Sequence, residues 1–165
     1  MKNVILVLIS SLLLILDNSF TPFIGIKGAY PSLLFIFSIS YSIIKGKREG
    51  VKIGVISGIL QDIFFFNGFG VNALINMLIC YVAGIVGEGI WKEKKLIPMI
   101  TMFIASIVKV LGVYLVMYFF SIKVDIFRGV LVGIYNFVLM FIAYGFIYKY
   151  YGNDAKQISW RVKFK

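Results

Sequence analysis

The chain has 165 residues, 61% of them hydrophobic and 15% charged, with a mean hydropathy of +0.96. A water-soluble domain of this size must cover itself with polar groups, so a soluble fold is excluded and lipid is left as the solvent for the excess apolar surface. The net charge is +10, there is no histidine to serve as metal ligand or neutral-pH base, and the single cysteine, Cys80, excludes an intrachain disulfide framework.

Six apolar runs follow along the chain. The first covers Asn3 to Phe20. Lys2 ahead of Val4 to Leu16 imitates a secretory signal, but the sequence continues into Asp17, Asn18 and Ser19 with no small-x-small cleavage pattern. It is therefore read as a first helix, inserted and retained. A connection with Pro22, Gly25, Lys27 and Gly28 leads to Pro31, which opens a second run ending at Ile44. Proline suits a helix start, where its missing N–H would be unpaired anyway. The cluster Lys45-Gly46-Lys47-Arg48-Glu49-Gly50 closes that run, and a short third one, Val51 to Phe66, carries Asp62. A re-entrant pair made of the third and fourth runs is the alternative to two full crossings.

The turn Asn67-Gly68-Phe69-Gly70 leads to the fourth run, Val71 to Trp91, and Lys92-Glu93-Lys94-Lys95 separates it from the fifth, Leu96 to Ser121, which contains Lys109. The last run, Ile126 to Tyr150, precedes a basic tail. Six helices of about 20 residues use nearly the whole chain. The expectation is an all-α integral membrane protein, with a six-transmembrane-helix bundle over residues 1–150 and a basic cytoplasmic tail over 151–165.

The charges between the runs provide an independent check. With the N-terminus inside, the inner segments hold Lys2, Lys45, Lys47, Arg48, Lys52, Lys92, Lys94, Lys95, Lys149, Lys156, Arg161, Lys163 and Lys165, which is 13 of the 17 basic residues. Lys27, Lys123 and Arg128 fall outside. Basic short loops stay cytoplasmic, so this asymmetry places both termini there and accounts for the net charge without a nucleic-acid partner.

Small and polar residues form stripes on four of the runs. Gly50, Gly54 and Gly58 recur every fourth residue, and Asp62 continues the row. Positions four apart share a helix face, and glycines there let a neighbouring backbone approach. The fourth run has Asn72, Asn76, Cys80, Gly84 and Gly87, the fifth Ser106, Lys109 and Gly112, and the sixth Gly129, Gly133 and Asn136. These stripes should face one another. At ~1.5 Å per residue, Asp62 and Lys109 both lie roughly 16–20 Å from the inner end. An unpaired charge at mid-membrane costs about 2.5–3.5 kcal/mol or more, so the two are expected to pair in the interior with Asn76 or Asn136 nearby.

Such a pair serves as a packing and register device, a buried ligand or ion site, or part of a proton relay. Glu88 and Asp17 read as solvated residues at the inner and outer boundaries, and Cys80 as an inert packing residue. In the tail, Ile158, Trp160, Val162 and Phe164 alternate with Ser159, Arg161, Lys163 and Lys165. That period of two suggests an extended segment, lying on anionic headgroups or adding a strand to a cytoplasmic partner. No GxSxG, phosphate loop, paired carboxylates or metal-ligand cluster occurs, so neither catalysis nor a cofactor is expected.

The stretch from Tyr30 to Gly84 resembles the rod shape-determining protein MreD family. The matching features are Pro31, the basic turn with Gly50 and Gly54, then Gly58-Ile59-Leu60-Gln61-Asp62, Gly70-x-Asn72-Ala73-Leu74 and Tyr81-x-x-Gly84. Ser32 departs from it, since many relatives carry an acidic residue after the proline. The resemblance implies a non-enzymatic scaffold of the bacterial cell-elongation machinery in the cytoplasmic membrane, joining MreC and MreB to the peptidoglycan transpeptidase and glycosyltransferase. It also implies a fold resembling the substrate-binding subunits of energy-coupling-factor vitamin transporters. Such a subunit is the alternative reading, although those commonly dock through an Ala-x-x-x-Ala-like face on the first helix, where only Ser10 and Ser11 are small here.

Overall fold

The computed structural model describes residues 2–26, 28–65, 70–90, 92, 95–119 and 126–163, with side chains described for 4–26, 28–64, 70–90, 92, 95–119 and 127–152. Over these residues the chain is helical: α1 (Lys2–Ser19), α2 (Leu33–Lys45), α3 (Lys47–Phe65), α4 (Val71–Gly89), α5 (Leu96–Phe119) and α6 (Ile126–Lys163), with one 3-10 turn at Thr21–Ile24. The turn residues Asn67 to Phe69, the connection with Ser121 and Lys123, and Lys27, Trp91, Glu93 and Lys94 lie outside the described residues.

Among the described residues, three helices are long and apolar enough to cross a membrane: α4, α5 and the Phe127–Gly152 part of α6. Val4–Ser19 and Leu33–Lys45 are apolar but shorter. α3 has the length of a span, but Lys47, Arg48, Glu49 and Lys52 occupy its first two turns. Outward faces are greasy at helical spacing, as with Ile100, Ile104, Val108, Leu111 and Leu115 on α5, all close to half exposed or more. Water would not tolerate so continuous an apolar surface, whereas acyl chains cover it without cost.

α2 is the axis of the bundle. It packs against α1, α3, α4, α5 and α6. Every residue from 34 to 44 is buried, which requires a helix that is apolar all round. Its three serines meet that requirement by turning inward on their own helix: Ser38, Ser40 and Ser42 Oγ donate to the carbonyls of Leu34, Ile36 and Ser38 at 2.8, 2.8 and 2.6 Å. Beside this axis the small stripes meet in pairs, those of α3 against α4 and those of α5 against α6.

The α2–α3 junction is tighter than the sequence suggests. The basic cluster reads as a loop, yet only Gly46 interrupts the helices, at φ +90°, and Lys47-Arg48-Glu49 form the first turn of α3. Gly46 N donates to Ser42 O at 2.8 Å, and Glu88 Oε1 accepts from Lys47 N at 3.1 Å. The chain thus reverses within a single left-handed residue that glycine adopts without strain.

α3 and α4 form an antiparallel hairpin in backbone contact. A Cβ on Gly50 would lie 2.5 Å from Cys80 O, one on Gly54 2.7 Å from both Asn76 O and Met77 Cα, and one on Gly58 2.5 Å from Asn72 O. The four-residue steps on the two helices run in opposite directions, so each glycine meets the next turn of α4. In the α5–α6 hairpin the approach is looser. A Cβ on Gly129 would overlap the Val110 side chain, whereas one on Gly133 would be 3.5 Å from Ser106 Cβ, ordinary contact.

α6 continues through Tyr150 to Lys163, so the tail extends a helix instead of forming the extended segment that the period of two suggests. Elongating an existing helix gains one hydrogen bond per ordered residue, while a lone strand has none to gain.

Candidate functional site

Three carboxylates hold the ends of neighbouring helices. Asp17, at the end of α1, accepts from Leu33 N at 2.6 Å, Leu34 N at 3.1 Å and Ser32 Oγ at 3.1 Å. It therefore caps α2 from outside, and Ser32 Oγ accepts from Phe35 N as the local cap. Asp17 is 9% exposed, so it is an interior anchor and not the solvated boundary residue expected of a carboxylate at a span end. The acid lacking at position 32 reaches this spot from α1.

Asp62, 5% exposed, does the same for α4. It accepts from Gly70 N at 3.0 Å, Asn72 N at 2.9 Å, Asn72 Nδ2 at 3.0 Å and Ala73 N at 2.9 Å. At the opposite end, exposed Glu88 accepts from the first N–H of α3 and pairs with Lys47 Nζ at 3.5 Å. Each carboxylate meets orphan amides and the positive end of a helix dipole, the strongest acceptor sites a bundle offers to an acid.

This use of Asp62 removes it from Lys109. The expected direct pair does not form: Lys109 Nζ donates to Gln61 Oε1 at 2.6 Å and lies 4.4 Å from the centroid of the Phe35 ring. Helix ends attract the carboxylate more strongly than a single ammonium because four donors converge there. Gln61 is the residue at the centre of the network, and its Oε1 also accepts from Asn76 Nδ2 at 2.9 Å. Asn136 sits across from it, accepting from Ser32 N at 3.0 Å and donating to Ser106 Oγ at 3.2 Å. Gln61 had a sequence signal, a second polar residue beside Asp62 within an apolar run. The role of Asp17 had none, because two of its three partners are backbone groups.

Between these helices lies a cavity of about 450 Å³ at the end of the bundle that carries Asp17. Its polar lining includes Asp17, Tyr30, Gln61, Asn72, Lys109 and Asn136, and its apolar wall Val110, Val113 and Val132. Of the four polar residues singled out above, Lys109 and Asn136 line it, while Asp62 and Asn76 stand behind Asn72 and Gln61. A second concavity, of about 320 Å³, is an apolar groove between α4 and α5 that runs past Leu78, Val82, Ile104 and Val108.

The family model of the rod shape-determining protein MreD matches residues 1–153. The chain belongs to the MreD family. Searches of curated proteins and of solved structures returned no match. Family membership gives this MreD-family protein a role in rod-shape determination. It also places the Gly58-to-Asp62 segment, the α3–α4 hairpin and the Asp62 cap in a membrane protein of the cell-shape machinery.

Proposed function

We propose that this MreD-family protein is a non-enzymatic adaptor of the bacterial cell-elongation machinery. It spans the cytoplasmic membrane six times with both termini inside, and links MreC and MreB to the peptidoglycan transpeptidase and glycosyltransferase. Family membership carries the reading. Supporting it, the described chain is nearly all helix with apolar outer faces, so partners must be met through helix faces or short connections. The orientation rests on one end of the bundle, where Lys45, Lys47, Lys52 and Lys92 gather and where Lys92 Nζ caps the α2 C-terminus by donating to Ile44 O at 2.9 Å. A fold like that of energy-coupling-factor subunits belongs to the same proposal, without the transporter's activity.

Purifying the tagged full chain from its native membrane in mild detergent tests the reading. MreC and the peptidoglycan synthases should copurify. Recovery of an ATPase pair with a bound vitamin would replace the adaptor with a transport subunit.

A further inference from the structure

We propose that the cavity at the Asp17 end is a binding site for an anionic oxygen group, a phosphate or a carboxylate, with Lys109 as its anchor. Lys109 stands midway along α5, one of the helices long and apolar enough to cross a membrane. A cation at such depth is expensive to retain and marks a functional position unless it is neutralised locally. Among the described residues no carboxylate lies within ion-pair distance of its Nζ; its partners are the neutral Gln61 amide oxygen and the face of Phe35.

The two acids nearby are already satisfied. Asp17 holds three donors and Asp62 four, each with a helix N-terminus to offset its charge. Lys109 has three N–H donors and, among the described residues, one protein acceptor, and it lines a cavity large enough for a small ligand or a lipid headgroup. Ser106, Asn136, Asn72 and Tyr30 add hydroxyl and amide groups around the same space. Val110, Val113 and Val132 give it an apolar wall against which a glycerol or acyl portion would lie. A cation beside polar lining groups, with one greasy wall, matches an anion attached to an organic body.

The source of the anion is decided by two probes, inorganic phosphate and dihexanoyl-phosphatidylglycerol. Each is titrated into the full chain in maltoside detergent while the thermal unfolding midpoint is followed. At least one should raise the midpoint of the wild type. Lys109→Met, unbranched, one atom shorter and uncharged, should raise the probe concentration needed for that response by about tenfold or more, as loss of a charge-assisted hydrogen bond does. Val132→Phe fills the cavity while leaving the ammonium in place, and should abolish the response even if Lys109→Met folds poorly. A response to phosphate assigns a soluble anion; a response to the lipid alone assigns a headgroup. If neither probe shifts the wild type, or both variants respond like it, the proposal fails. Copurification of partners does not depend on either result.

Discussion

Asp17, Asp62 and Glu88 are chemically alike and structurally similar in role, yet their surroundings differ enough to separate their energetic weight. Removing Asp62, itself 5% exposed, leaves three backbone N–H groups and the Asn72 amide without that acceptor. The side chain of Glu88 is 45% exposed, so water replaces it readily. Asp62→Ala and Asp17→Ala should each destabilise the protein by roughly 3 kcal/mol, the cost of several stranded buried donors. Glu88→Gln should stay within about 0.5–1 kcal/mol, because an exposed ion pair contributes little and the amide oxygen still accepts. Denaturant unfolding in mixed micelles measures all three, and equal losses would show that burial does not set the weight of a cap. At this scale Asp62 was legible as a buried carboxylate, but its partner was not. Depth along two helices does not say that four amides of a third helix start will reach it first.

Glycines test the helix-level account. Gly54 and Gly133 are indistinguishable as members of small-residue stripes, but only Gly54 meets backbone. A methyl there would lie 2.7 Å from Asn76 O and Met77 Cα, atoms that cannot rotate away. Gly54→Ala should push α3 from α4 and cost about 1–3 kcal/mol, as overpacking does. Gly133→Ala meets Ser106 Cβ at 3.5 Å and should be neutral or stabilising by about 0.5–1 kcal/mol, since alanine favours helix over glycine. The paired midpoints from thermal melts decide this, and a reversed order would contradict the hairpin register. The glycine period was visible in the sequence; which glycine faces backbone depends on rotation about each helix and on the neighbour's side chains. The tail shows the converse. Its alternation is a local pattern of a few residues, and the helix preceding it overrides that pattern.

Over the whole molecule, the charge asymmetry makes a prediction that does not depend on packing detail. A reporter active only in the cytoplasm, fused after Lys165, should be active, and one inserted after Gly28 should be silent. The opposite pair of results would invert the proposed topology. The bundle also explains why α2 takes the centre. It is short, and its serines bond carbonyls of their own helix, so placing it at the axis buries all its faces. The longer α5 and α6 each keep one face for lipid.

Composition, hydropathy runs and the distribution of lysine and arginine determined on their own that this is a helical membrane protein. The Tyr30–Gly84 motif pointed to the family that the 1–153 match establishes. These properties are readable because transfer between water and lipid depends on each residue's chemistry and on local spacing. The tertiary structure alone decided that Asp17 and Asp62 cap α2 and α4, that Gln61 and not Asp62 receives Lys109, and that a polar cavity opens beside Lys109. Those outcomes arise from competition among donors and acceptors on different helices, and only the folded arrangement fixes which of them lie within hydrogen-bond distance.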